Sequence, residues 1–230
     1  MITVAVRQIT HSTPRTRLLN LDLRPVTFNF AAGQAVMLGL TGSPLRKPYS
    51  IASAPWEVQK SGIMQVLAQI EDSGGPDPHL ELAAPGTLLD LDGPFGSFAL
   101  PDIVDRPLVF IAGGTGIAPL RSMLIERAAR PMPSPMVLIY SARSADEFAF
   151  RADFMALEAA GRLKTFFTVT REEPAWTGRR GRISGSLLRE ALPSPESIAL
   201  VCGPPQLLDD TRALLQSLGV ASDAILFEKY

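Results

Sequence analysis

The sequence predicts a β plus α/β protein, with a small β-barrel at the N-terminus followed by a doubly wound parallel α/β domain. Three observations carry that expectation. Residues 1 to about 100 consist of short alternating or apolar stretches punctuated by proline and glycine. From Arg106 onward, apolar strand-like stretches take turns with helical ones, which is the pattern of a parallel sheet covered on both faces. Between the two, "ALPDIVDRP" interrupts both patterns with two prolines and a charge cluster.

In chain order, the barrel strands are expected at "ITVAVRQI", "TRLLNLDL", "AVMLGL", "IMQVLAQI" and "TLLDLD". The α/β part starts with the strand "PLVFIAG" and the helix "PLRSMLIERAA", then the strand "PMVLIYSA" and the helix "EFAFRADFMALEAAG". It continues with the strand "LKTFFTVT", the helix "GSLLREAL", the strand "SIALVCGP" and the helix "PQLLDDTRALLQSLG". The domains expected are therefore residues 1–102 and 103–230.

Composition narrows the function classes. A chain of 230 residues with 46% hydrophobic and 20% charged residues has the make-up of an ordered globular protein. A net charge of -1 offers no global attraction to nucleic acid or to anionic lipid. The single cysteine, Cys202, excludes an internal disulfide, a cysteine-rich zinc site and a self-ligated iron–sulfur cluster. His11 and His79 lack carboxylate neighbours at metal-ligand spacing, and no metal site is expected. No export signal and no stretch long enough for a membrane span are found, so the expectation is a cytoplasmic protein. Hydrolase and nucleotide-triphosphatase motifs are missing as well.

The most informative stretch is "LVFIAGGTGIAPL". Its strand is expected to end near Ala112, its glycines to fill the βα turn, and Pro119 to sit in the first helical turn, where a missing N–H costs nothing. Glycines let a ligand reach the backbone, and a helix N-terminus favours an anion, so a pyrophosphate suits the turn, although a tight turn without ligand fits the same residues. Gly114, Gly116 and Pro119 spell G-x-G-x-x-P instead of the usual dinucleotide fingerprint G-x-G-x-x-G. The next strand ends in Ser141 and Arg143 where an NAD site would place a carboxylate. Arg171 and Arg182 follow the third strand. If these arginines converge they form a cage for a ribose phosphate, favouring NADP(H); the alternative is a set of solvated surface arginines.

"KPYSIAS", "GPFGSF", "GGTGIAP", "VCGPP" and the terminal "FEKY" occur in that order, and with them nearly the whole chain resembles the ferredoxin–NADP reductase superfamily. The resemblance implies a six-stranded antiparallel Greek-key barrel that binds FAD and a following domain that binds NADP, with NAD as the alternative coenzyme. On the flavin side it implicates Lys47, Pro48, Tyr49, Ser50, Gly74, Gly75, Thr115 and Tyr230. On the nucleotide side it implicates Gly114, Thr115, Gly116, Pro119, Ser141, Arg143, Arg171, Arg182, Cys202, Gly203 and Pro204. By the same resemblance Ser50 lies near flavin N5, Cys202 beside the nicotinamide, Glu228 helps handle protons, and Tyr230 covers the flavin ring until nicotinamide arrives.

Two positions depart from the family pattern. Lys47, preceded by Arg46, stands where the family has an arginine, keeping the charge and losing the two-pronged grip. Asp77 falls near a position where a serine or threonine usually meets the flavin pyrophosphate. Either Asp77 turns away and the amides of Gly74 and Gly75 hold the pyrophosphate, or the adenine half of the flavin is held loosely.

The activity implied is hydride transfer between NADPH and bound FAD, with electrons passed to or from a separate carrier such as ferredoxin, flavodoxin or an oxygenase component. Two alternatives stand beside it: an NAD(P)H:flavin oxidoreductase that uses free flavin as substrate, and a non-catalytic docking subunit of a redox assembly. The chain is expected to be a monomer.

Overall fold

A computed structural model describes residues 1–70, 78–101, 105–131 and 136–229. The chain divides into two compact units, Met1–Leu100 together with Arg121–Arg127, and Pro101–Leu120 together with Ala128–Tyr230.

The first unit is built on six strands: β1 (Ile2–Thr13), β2 (Thr16–Asp22), β3 (Ala35–Leu40), β4 (Lys47–Ser50), β5 (Ile63–Gln69) and β6 (Leu88–Phe95). They follow the order β4-β3-β6-β1-β2-β5, every neighbouring pair antiparallel. Strand β6 comes back to lie between β1 and β3, a Greek-key return. A bridge between Ile51, just beyond β4, and Val66 of β5 brings the two ends of that order together, in the manner of a barrel. Period-two alternation fills the interior: Val4 and Val6, Leu19 and Leu21, Val36 and Leu38, Met64 and Val66, and Leu89 and Leu91 are all buried in one cluster.

Helix α1 (Pro55–Ser61) is an element that the sequence pattern does not announce. It is only seven residues long and is held at its ends. Pro55 occupies its first turn, the Glu57 carboxylate accepts the Ala54 N–H at 2.8 Å, and Gly62 closes it at φ 68°. Helix α2 (Ile117–Ala128) supplies the other support. Arg121, buried, donates to the Ala52 carbonyl at 2.9 Å and to both Glu57 oxygens at 2.9 and 3.1 Å. The Ser122 hydroxyl donates to the Ser53 carbonyl at 2.6 Å. These bonds fix the chain just beyond β4.

The second unit contains β7 (Leu108–Gly113), β8 (Met136–Ala142), β9 (Leu163–Val169), β10 (Arg179–Arg180), β11 (Ile198–Gly203) and β12 (Ile225–Lys229). Their order is β10-β9-β8-β7-β11-β12, parallel throughout. Helices α3 (Arg151–Ala159), α4 (Gly185–Ala191) and α5 (Pro205–Ser217) lie between strands in sequence. Strands β7 and β8 are buried at every position, as expected for parallel strands covered on both faces. From β7 the chain winds outward through β8, β9 and β10, then returns to place β11 on the other side of β7. The carboxyl ends of β7 and β11 therefore flank a topological switch point, the place where open α/β sheets bind ligands.

Three local details differ from the sequence expectation. The helical stretch from Glu147 becomes a 3-10 turn (Ala145–Glu147) and a helix that starts only at Arg151, because Phe150 takes a left-handed φ of 58°. The helix expected from Pro119 starts two residues earlier, at Ile117, after a 3-10 turn (Gly114–Gly116), with Pro119 still in its first turn. The two-residue β10 was not anticipated, being too short for periodicity to reveal. Among the described residues, no helix is long and apolar enough to cross a membrane.

Replacing Arg121 by alanine strands the Glu57 carboxylate and the Ala52 carbonyl. The expected outcome is a loss of about 3 kcal/mol in urea unfolding, and Arg121→Lys, which keeps charge without the fork, falls between the variant and the wild type.

Candidate functional site

The crevice begins as a steric constraint between two turns. Gly114 has a φ of 55°, so the chain leaves β7 through a conformation suited to glycine. A Cβ on Gly116 would lie 2.4 Å from the Cys202 carbonyl oxygen and 2.6 Å from its carbon. On the opposite turn, a Cβ on Gly203 would come within 3.2 Å of the Gly113 nitrogen. The glycine-rich turn after β7 and the "CGP" turn after β11 thus pack backbone to backbone. Gly114 is exposed, whereas Gly116, Pro119, Cys202 and Gly203 are buried beneath it, and Thr115 is half-buried.

Over these turns lies a cavity of about 470 Å³. Its walls include Gly113 and Gly114, Ser141 and Arg143 from the end of β8, Gly181 and Arg182 after β10, and Pro204. Ser141, Arg143 and Arg182 thus line one cavity, both arginines being exposed. Arg171 does not join them in the wall; its backbone N–H donates to the Arg143 carbonyl at 2.9 Å. Two acids, Glu147 and Asp210, also reach the cavity, the second accepting a 2.8 Å bond from Gln206. Two guanidinium groups, a hydroxyl and a glycine turn leading into a helix are suited to holding a phosphorylated ligand.

Tyr140 was missed by sequence reasoning because it reads as one more core aromatic of β8. It is fully buried and donates from its hydroxyl to the Gly114 carbonyl at 3.1 Å, so the conformation of the glycine turn is supported from below. Its ring meets Phe148 edge-on at 5.0 Å.

Beside the turn, Cys202 on β11 is in register with Glu228 on β12. One oxygen of Glu228, Oε2, is buried and has no hydrogen-bond partner among the described residues, and burial raises this carboxyl from its ordinary 4.5 to about 7. The thiol of Cys202 is also pushed up, by burial first and then by the neighbouring carboxylate, so it is a neutral packing group and not a nucleophile at neutral pH.

In the first unit, β4 carries the other predicted residues. Lys47, Pro48, Tyr49 and Ser50 pair with Leu38, Met37, Val36 and Ala35 of β3. Pro48 is exposed; Lys47, Tyr49 and Ser50 are half-buried, and Tyr49 packs against the barrel core. Arg46 is committed elsewhere. It donates to Asp90 at 3.0 Å, and that buried carboxylate also accepts from Thr3 at 3.1 Å and Thr41 at 3.2 Å. Gly74, Gly75, Asp77 and Tyr230 lie outside the described residues. Among the described residues no group of acidic, cysteine and histidine side chains could hold a metal ion.

Residues 110–213 match the family model described as "Oxidoreductase NAD-binding domain". The chain is 31% identical over 213 residues to ferredoxin–NADP reductase B of Sorangium cellulosum, covering 88% of this chain and 86% of that protein. It is 29% identical to one component of the Na(+)-translocating NADH-quinone reductase of Yersinia enterocolitica, but spans only 50% of that protein's length. A ferredoxin NADP+ reductase from Neisseria gonorrhoeae, solved with bound FAD and NADP, superposes with a TM-score of 0.82 at 24% identity, covering 99% of this chain and 98% of that one. That likeness establishes the fold.

The raised carboxyl gives a pH test. Ionising Glu228 is harder in the folded chain than in the unfolded one, so its contribution to stability is complete below pH 4.5 and is lost as pH rises toward about 7. Urea midpoints measured from pH 4.5 to 7.5 are expected to fall less steeply for Glu228→Gln than for the wild type; parallel curves would contradict this.

Proposed function

Because this chain belongs to the ferredoxin–NADP reductase family, and is thus an NAD(P)H-dependent flavin oxidoreductase, we propose that it binds FAD on its barrel and takes its hydride from NADPH. The observation that carries the coenzyme reading is the convergence of Ser141, Arg143 and Arg182 on one cavity wall. A hydroxyl and two guanidinium groups suit a ribose phosphate better than a bare diol. Arg171, outside that wall, contributes through its backbone.

Bound flavin supplies the hydride acceptor and the ability to release electrons singly. The chain supplies position. The N–H groups of the turn at Gly114, Thr115 and Gly116 receive the nucleotide pyrophosphate, aided by the start of α2. Gly203 and Pro204 bound the nicotinamide side, and Cys202 orients the ring as a neutral thiol. On the flavin side Tyr49 offers a flat ring, Ser50 a hydroxyl to N5, and Lys47 a charge for the flavin phosphate. Glu228, with an oxygen unpartnered among the described residues and a value near 7, exchanges a proton near N5 at physiological pH.

The electrons pass to or from a separate one-electron carrier, ferredoxin or flavodoxin in our reading. The name of the Sorangium cellulosum relative supports that choice.

Gel filtration followed by coenzyme kinetics tests the proposal. The protein should elute yellow, and replacing Arg143 and Arg182 by alanine should lower kcat/KM for NADPH by about 100-fold and for NADH by less than about three-fold. Colourless protein that reduces added riboflavin would make flavin a substrate, and equal losses for both coenzymes would remove the phosphate cage.

A further inference from the structure

Arg143 and Arg182 are borne on two separate loops, residues 143–150 and 170–182. A pair of guanidinium groups selects a phosphate only while their spacing is held, because an exposed arginine loses much of its attraction to the entropy of a long side chain on a moving backbone. The second loop has little regular structure of its own, since its strand β10 is two residues long at the sheet edge.

What ties the loops together centres on Trp176. Its ring lies 5.8 Å from that of Phe148 in the first loop, and the Arg151 guanidinium stands 5.6 Å from both the Trp176 and Phe167 rings. Its indole N–H donates to the Arg179 carbonyl at 2.7 Å, and Arg180 donates back to the Trp176 carbonyl. A Cβ on Gly178 would lie 2.4 Å from the indole, so the turn is folded tightly over the ring. Two further bonds run between the loops: the Ala145 N–H to Glu173 at 2.8 Å and the Arg171 N–H to the Arg143 carbonyl at 2.9 Å.

We propose that Trp176 is a positioning residue for coenzyme selectivity: by keying the 170–182 loop to Phe148, it holds Arg143 and Arg182 at the spacing that a 2′-phosphate requires. The inference rests on the NADPH reading of the cavity. Trp176 itself is not among the residues lining the cavity.

The test is a double-mutant cycle on the flavin-loaded protein, using the ratio of kcat/KM for NADPH to that for NADH, together with calorimetric binding of adenosine 2′,5′-bisphosphate. Trp176→Ala is expected to lower the ratio about ten-fold through KM for NADPH, leaving kcat and the NADH kinetics within about two-fold and weakening the bisphosphate in parallel. Trp176→Phe, which retains an aromatic ring and guards against a folding failure of the alanine variant, should show a smaller loss of the same kind. In an Arg182→Ala background, Trp176→Ala should change the ratio no further. Equal effects on both coenzymes, or independent effects in the cycle, would overturn the role of Trp176 while leaving the phosphate cage standing. A wild type that shows no preference for NADPH and does not bind the bisphosphate would overturn both.

Discussion

Two backbone turns lie so close together that one has no room for a side chain where they meet and the other has little, and the nucleotide crevice depends on this approach. Gly116 faces the Cys202 carbonyl and Gly203 faces the Gly113 nitrogen. The approach follows from the winding of the sheet, which sets β11 directly beside β7 and brings their carboxyl ends out side by side. Bulk at either turn forces the strand ends apart or tilts α2, and the cavity wall at Gly113 and Gly114 moves with them. The glycines have two physical duties here. Gly114 takes the left-handed turn at the cavity surface, and Gly116 permits the packing underneath. Tyr140 adds a hydrogen bond from below to the Gly114 carbonyl.

The barrel solves a different problem with polar groups. Its interior is an ordinary apolar cluster, but the segment after β4 is held by Arg121, Glu57 and Ser122. Such a buried pair adds little net stability over an apolar substitute and is costly to break from one side. Its effect is geometric: the Ala52 carbonyl, two residues beyond Ser50, is held by a fork of fixed shape. Asp90 does the same for Arg46, holding it just before β4.

Most of the fold was legible because it rests on periodicity. Alternation in "TRLLNLDL" and continuous apolar character in "PLVFIAG" each name a strand and its environment, and β2 and β7 appear where those patterns stand. Helix α1 was not legible: seven residues with one buried position carry no helical period, and its existence depends on Glu57, whose second partner is 64 residues away. In the crevice, Ser141, Arg143 and Arg182 could be named because each follows a recognisable strand or glycine. Arg171 followed the same logic and lies outside the cavity wall, since strand ends fix the path of the backbone and not the direction of an exposed side chain. Tyr140 and Trp176 could not be found, as an aromatic residue's sequence context does not say whether its polar atom reaches a functional turn.

The most direct measurement of the central constraint is a titration of Gly116→Ala with NADP+, read by calorimetry alongside a urea melt of the same sample. The account predicts a folded protein destabilised by roughly 1–3 kcal/mol, as for an overpacked core, whose affinity for the nucleotide falls at least about ten-fold. A variant that binds NADP+ as the wild type does, at undiminished stability, would show that the two turns have room to spare and that their close approach does not shape the crevice.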